Sequence, residues 1–127
     1  MAHILVAEDD QLISGSLCEG LKTAGHTPAP VYDGEAAVEY AKQNHPDLIL
    51  LDIMMPKLDG VGALWEIKAD PTLNKTPVIV LTNMGDADTI SKIIEAGAAD
   101  YLLKSDQSID QVIKKVDEVL ARDVRVS

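Results

Sequence analysis

Five short apolar runs punctuate the chain, and each is followed by a longer stretch with helical spacing. The runs are Ile4–Ala7, Ala29–Tyr32, Leu48–Leu51, Val78–Leu81 and Tyr101–Leu103. Three of them are continuously apolar, the pattern of central strands covered by helices on both faces. The second is different. Pro28 and Pro30 lack a strand donor, so this run is expected at a sheet edge.

Helix signals fill the gaps. Ile13, Leu17 and Leu21 recur every four residues, and Gly25 stops that helix. Asp33 is placed to cap the next, whose small face is Ala36, Ala37 and Ala41, and Pro46 ends it by residue 45. Val61, Leu64, Trp65 and Ile67 predict a third helix, closed by Asp70-Pro71. Ile90, Ile93 and Ile94 line a fourth that ends at Gly97. Ser108 and Gln111 form a capping box for the last, with Ile109, Val112, Ile113, Val116, Val119 and Leu120 as its apolar face. The order is βα repeated five times. Right-handed crossovers then place helices on both faces of one five-stranded parallel sheet, a doubly wound α/β three-layer sandwich of flavodoxin-like type.

At 127 residues there is room for one domain with a genuine core and little for a second. Residues 1–127 are therefore expected to form a single domain with its core in 3–121, residues 122–127 being a tail or linker remnant. No internal repeat or low-complexity tract interrupts it. No apolar run approaches the length of a membrane span, and Met1-Ala2-His3 lacks the order of a secretory signal. The lone Cys18 cannot make an internal disulfide and reads as a small buried hydrophobe on a helix. A reducing, cytoplasmic setting fits. Eleven basic residues against 21 acidic ones give a formal charge of −10, which nucleic-acid phosphates would repel.

In a sheet of this kind, ligands bind beyond the carboxyl ends of the strands, near the point where strand order reverses. Strand one runs into Glu8, Asp9 and Asp10; strand three ends in Asp52, strand four in Thr82, and strand five is followed by Lys104. Crowded carboxylates repel one another unless a cation is present, and a hard divalent ion such as Mg²⁺ suits an all-oxygen cluster. Asp and Glu at strand ends also cap helices, and Asp10 reads as such a cap. Asp52 is the exception, because it directly follows Leu48-Ile49-Leu50-Leu51 and Pro56 makes a cap there awkward. Taken singly, Lys104 is a surface lysine, Thr82 a polar strand end and Tyr101 a core residue. Together with Asp52, a metal, a hydroxyl and an ammonium would supply what phosphoryl transfer to a carboxylate needs. There is no GxGxxG after strand one and no GxxxxGK[ST], so dinucleotide and P-loop readings are weak. His3, His26 and His45 are scattered, with structural or solvated roles expected.

These residues make the chain resemble the response regulator receiver domains of bacterial two-component signalling, essentially from Ile4 to Leu120. The resemblance lies in Ile4-Leu5-Val6 before Glu8-Asp9, in Asp52-Ile53-Met54-Met55-Pro56 with Asp59-Gly60, in Val78–Thr82, and in Gly97-Ala98-Ala99-Asp100-Tyr101-Leu102-Leu103-Lys104. The intervals of 30 residues from Asp52 to Thr82 and 22 from Thr82 to Lys104 also look like the family's. The resemblance implies that Asp52 is the phosphoacceptor. It implies that Asp9, Asp52 and the Met54 carbonyl hold Mg²⁺, with Glu8 acting through an intervening water. Lys104 would pair with phosphoryl oxygens, Thr82 would move inward to bond them, and Tyr101 would turn into the space vacated. The donor would be a histidine kinase or a histidine phosphotransfer protein. The fourth helix, fifth strand and fifth helix would form the surface for a downstream protein or a second receiver.

Three positions depart from the family pattern: Asn83 follows Thr82, Ser105 rather than Pro follows Lys104, and Glu8 replaces the more usual Asp. Ser105 leaves open whether the Lys104–Ser105 bond is cis, which before a non-proline residue costs roughly 2.5–4 kcal/mol. Met54 and Met84, two residues after Asp52 and Thr82, flank the family's path for hydrolytic water. Thioethers orient water poorly, so slow self-dephosphorylation is expected. Two other classes compete: a receiver-like scaffold that binds partners without phosphorylation, and a metal-dependent aspartyl phosphatase. The second usually has a carboxylate where this chain has Met54.

Overall fold

The computed structural model describes residues 2–55, 57–83 and 85–122. The elements alternate as expected: β1 (His3–Ala7), α1 (Gln11–Thr23), β2 (Thr27–Val31), α2 (Gly34–Asn44), β3 (Leu48–Asp52), α3 (Gly60–Ala69), β4 (Val78–Thr82), α4 (Ala87–Glu95), β5 (Asp100–Leu103) and α5 (Ile109–Arg122). A short 3-10 turn, Lys104–Asp106, joins β5 to α5. The strands form one parallel sheet in the order β2-β1-β3-β4-β5. The direction of winding therefore reverses between β1 and β3, which opens a crevice at their carboxyl ends.

Strand periodicity divides the core. Leu5, Ile49, Leu51, Val78 and Val80 face α2, α3 and α4, where Ala37, Ala41, Leu64, Ile67 and Ile93 cover them. Ile4, Val6, Leu48, Leu50, Ile79 and Leu81 face α1 and α5, where Leu17, Leu21, Val112 and Val116 cover them. The two central strands β3 and β4 are buried at every position, which explains their continuous apolar sequence.

Edge strand β2 shows how its prolines are accommodated. Thr27 N–H donates to the Ala2 carbonyl and the Val31 carbonyl accepts from Glu8 N–H, so the odd-numbered residues bond β1. Pro28 and Pro30 alternate with them and turn their missing donors away from the sheet.

The helix ends follow the sequence signals. Asp10 and Asp33 cap α1 and α2 by accepting backbone N–H groups, and Ser108 with Gln111 closes a reciprocal capping box. Two helix positions differ from expectation. Trp65 is 51% exposed and Ile94 is 61% exposed. Each lies one residue, a turn of about 100°, beyond the residue that is buried (Leu64 and Ile93), so the covered stripe is narrower than the apolar spacing suggested. Cys18 is half-buried against the α1–α5 core, and burial raises its thiol pKa, which suits an unreactive packing residue. The histidines are structural or solvated as expected. His26 accepts from Ala2 N–H at 3.2 Å and meets Asp117 at 2.7 Å, His3 meets the Tyr40 hydroxyl at 2.6 Å, and His45 closes α2.

Two Asp-Gly pairs bring the loops together. A Cβ on Gly34 would stand 1.7 Å from the Leu58 carbonyl oxygen, and one on Gly60 would stand 2.4 Å from the Asp52 carbonyl oxygen. The β3–α3 loop is thus laid directly on the start of α2 and on the end of β3, with Lys57 reaching Asp33 at 3.7 Å. Gly34→Ala is expected to lower stability by about 1–3 kcal/mol, because backbone rather than a flexible side chain must move. Urea unfolding measures this, and an unchanged midpoint would show that the loop is not seated as described.

Candidate phosphoacceptor site

The carboxyl ends of β1, β3 and β5 deliver four charged groups to one point. Glu8 is 1% exposed and Asp52 is 3% exposed, whereas Asp9 beside them is open to solvent. One carboxylate oxygen from each of the three lies within 4.8 Å of the others. The Lys104 Nζ contacts Glu8 Oε1 and stands 3.2 Å from Asp52 Oδ2, so a single ammonium bridges both buried acids.

Backbone geometry keeps these groups in place. Glu8 Oε2 accepts the Asp10 N–H at 3.1 Å, which folds the glutamate back toward the sheet. Asp52 Oδ1 accepts the Met54 N–H at 3.2 Å. The Ile53 carbonyl accepts from both Met55 N–H and Gly60 N–H, closing the loop that follows the aspartate at each end. Asp59 then caps α3 by accepting the Gly62 N–H at 2.8 Å. Sequence reasoning did not assign the roles of Gly34, Gly60 and the Asp10 amide. The repeated Asp-Gly pair was the available signal, since glycine immediately after a cap marks close backbone approach.

Burial pushes Asp52 up to about 7, and the Glu8 charge pushes in the same direction; Lys104 and the Met54 amide oppose them. For Lys104, burial works against the ammonium. The Glu8 hydrogen bond and the Asp52 charge outweigh it and hold its pKa above the ordinary lysine value. The site therefore carries more negative charge than one ammonium balances. Asp52 and the solvent-exposed Asp9 offer the few carboxylates that Mg²⁺ takes while leaving room for its waters, with Glu8 close by, so these residues fit that ion.

Thr82 ends β4, fully buried, in register with Leu103 immediately before Lys104. Tyr101 pairs in register with Val80, and side-chain alternation puts Val80 and Thr82 on the same face. Tyr101 is half-buried there, packed against the core beneath α2–α4. Met54 is exposed beside the cluster, and Met84 lies outside the described residues. Asn83 is exposed. No cis peptide occurs among the described residues, so the Lys104–Ser105 bond is trans. Ser105 enters the 3-10 turn, and Lys104 still reaches the site.

A family model described as the response regulator receiver domain matches residues 4–117. The chain belongs to the response regulator receiver family. Among curated relatives of this receiver, the transcriptional regulatory protein PrrA of Mycobacterium tuberculosis is 42% identical over 102 residues, covering 80% of the chain and 43% of PrrA. The regulator PdtaR of the same species is 35% identical over 121 residues, covering 94% of the chain and 57% of PdtaR. The chain thus spans about half the length of these relatives. The solved receiver domain of the Francisella response regulator 1452 is 30% identical with a TM-score of 0.89, covering 98% of this chain and 100% of that one. A manganese-bound form of the response regulator Rcp1 is 32% identical with a TM-score of 0.84, covering 100% and 99% of the two chains. No helix among the described residues is long and apolar enough to cross a membrane.

The Asp52 pKa has a stability consequence with a definite sign. A carboxyl whose folded pKa lies near 7 instead of 3.8 binds its proton more tightly when folded, so stability falls as pH rises from about 4 to 7. Asp52→Asn removes this penalty. Without metal, its melting temperature is expected to exceed that of the wild type at pH 8, with the gap closing toward pH 4. A gap independent of pH would contradict the assignment.

Proposed function

We propose that this receiver accepts a phosphoryl group on Asp52 and uses the resulting change to switch partner binding. The carrying observation is the buried Asp52 carboxylate held 3.2 Å from Lys104 Nζ, with Glu8 and Asp9 at its side. The donor in this reading is a phosphohistidine on a histidine kinase or a histidine phosphotransfer protein. An Asp52 oxygen attacks phosphorus, the phosphorus–nitrogen bond breaks, and the electron pair returns to the imidazole, which takes up a proton.

Each residue of the chain has a physical task. Lys104 balances negative charge that spreads over the phosphoryl oxygens, and it can do so because it already stands against Asp52. Thr82 supplies a hydroxyl at the neighbouring strand end. Asp9, Asp52 and the Met54 carbonyl would hold Mg²⁺, with Glu8 supporting it through water. Bound there, the ion reduces repulsion between the incoming phosphate and the carboxylates. Glu8 must share Lys104 with a phosphoryl group, so phosphorylation redistributes the bridge now made to Glu8.

The output route follows from register. Tyr101 lies beside Val80 on the face that carries Thr82, so a Thr82 shift toward the phosphoryl group would free space beside the ring. An inward Tyr101 would alter the α4–β5–α5 surface, the proposed contact for a downstream protein or a second receiver. Of the α4 side chains, Ile93 is the buried anchor, so this helix is held lightly enough to respond. The −10 formal charge argues against direct nucleic-acid binding by this domain. The cytoplasm is the compartment where such a donor would be met.

Incubation with acetyl phosphate and Mg²⁺ is expected to give one phosphoryl adduct on Asp52, absent in Asp52→Ala and greatly slowed in Lys104→Ala. The adduct should decay slowly, and Met54→Asn should shorten its life by roughly 3–10-fold by offering water a polar partner. An adduct elsewhere, or none in the native chain, would overturn the reading.

A further inference from the structure

Two neighbouring methionines follow Asp52 in opposite settings. Met54 is 62% exposed, whereas Met55 is 8% exposed and belongs to the core beneath α2–α4. The Met54 N–H is tied to Asp52 Oδ1 at 3.2 Å, so its side chain starts from a fixed point beside that carboxylate. It lines a largely apolar groove of about 610 Å³ together with Asp9, Met55, Val61, Thr89 and Lys92. An exposed methionine therefore lines the same groove as Asp9 of the acidic cluster and Thr89 and Lys92 of α4.

We propose that Met54 is a site of reversible oxidation by hydroperoxides, and that its sulfoxide shortens the life of phosphorylated Asp52. This rests on the phosphoacceptor reading above. In the step, a sulfur lone pair attacks the terminal peroxide oxygen, the S–O bond forms and the O–O bond breaks. Sulfur loses two electrons, and the proton on the transferred oxygen passes to the departing oxygen, giving the sulfoxide and water or an alcohol. The chemistry needs an accessible side chain, and Met54 is exposed where Met55 is buried.

The product differs from the thioether in the property that matters here. A thioether is a weak acceptor, whereas a sulfoxide oxygen is polar and accepts hydrogen bonds. Carboxylates at Asp9 and Asp59 cannot donate to it, and the Thr89 hydroxyl already donates to Asp86 at 3.0 Å. Water and the Lys92 ammonium remain as donors; Lys92 meets Asp88 at 3.4 Å and has further N–H groups to offer. Oxidation thus draws water into an apolar groove at the edge of the phosphoacceptor. The buried neighbour, Met55, serves as the internal control.

The test treats the full chain with dilute hydrogen peroxide and follows each methionine by tandem mass spectrometry. Met54 is expected to oxidise at least about 10-fold faster than Met55, in keeping with the dependence of thioether oxidation on exposure. In the oxidised protein the Asp52 adduct from acetyl phosphate should decay several-fold faster, methionine sulfoxide reductase should restore the original decay, and Met54→Leu should show no response to peroxide. Equal oxidation of Met54 and Met55 would overturn the proposal, as would an unchanged decay rate in protein oxidised at Met54. Failure of untreated protein to form any adduct would instead count against the phosphoacceptor reading, while the oxidation ratio would still report on Met54 itself.

Discussion

A single ammonium group, that of Lys104, holds two buried carboxylates together at the rim of the sheet. Glu8 and Asp52 are both nearly inaccessible to water, and two such charges side by side are costly without compensation. Lys104 offsets part of that cost and leaves a remainder, which is visible in the raised pKa of Asp52. In the proposed mechanism, a divalent cation held by Asp9 and Asp52 would offset that remainder. In the same proposal, a negatively charged group placed on Asp52 would require the Lys104 bridge to be rearranged.

The fold exists around this point in a specific sense. The crevice between β1 and β3 arises from the strand order, and the continuous apolar sequence of β3 drives Asp52 into a buried position. The loops are then fixed by backbone contacts that only glycine permits, at Gly34 and Gly60. Thr82 and Tyr101 on adjacent strands share a face with the covering helix α4, while Lys104 leaves β5 directly toward the site. Position along a strand, rather than loop flexibility, therefore decides which groups meet.

Much of this was legible in the sequence because strand and helix periods are local. The five runs, the edge position of the Pro28–Pro30 strand, the Asp10 and Asp33 caps and the Ser108–Gln111 box all depend on residues close in the chain. The meeting of Glu8, Asp9, Asp52 and Lys104 joins residues far apart in the chain, and it could be anticipated only because each stands at or just beyond a strand end. The rest depends on three-dimensional contact. That Trp65 and Ile94 are exposed follows from the width of the covering surface, which apolar spacing does not report. The bridging of Glu8 and Asp52 by one lysine, and the seating of Leu58 on Gly34, join residues far apart in the chain. Ser105 in place of proline left the reach of Lys104 open, and a trans bond followed by a 3-10 turn brings it to the site.

The most direct measurement is the ionisation of Asp52 itself, followed by carbon-13 NMR of its side-chain carboxyl as pH is varied. Without divalent metal, its titration midpoint should lie near 7. With saturating Mg²⁺ the midpoint should move about two pH units lower, as an adjacent cation favours the charged form. A midpoint near 4 in metal-free protein, unmoved by Mg²⁺, would contradict the charge balance on which the site is built.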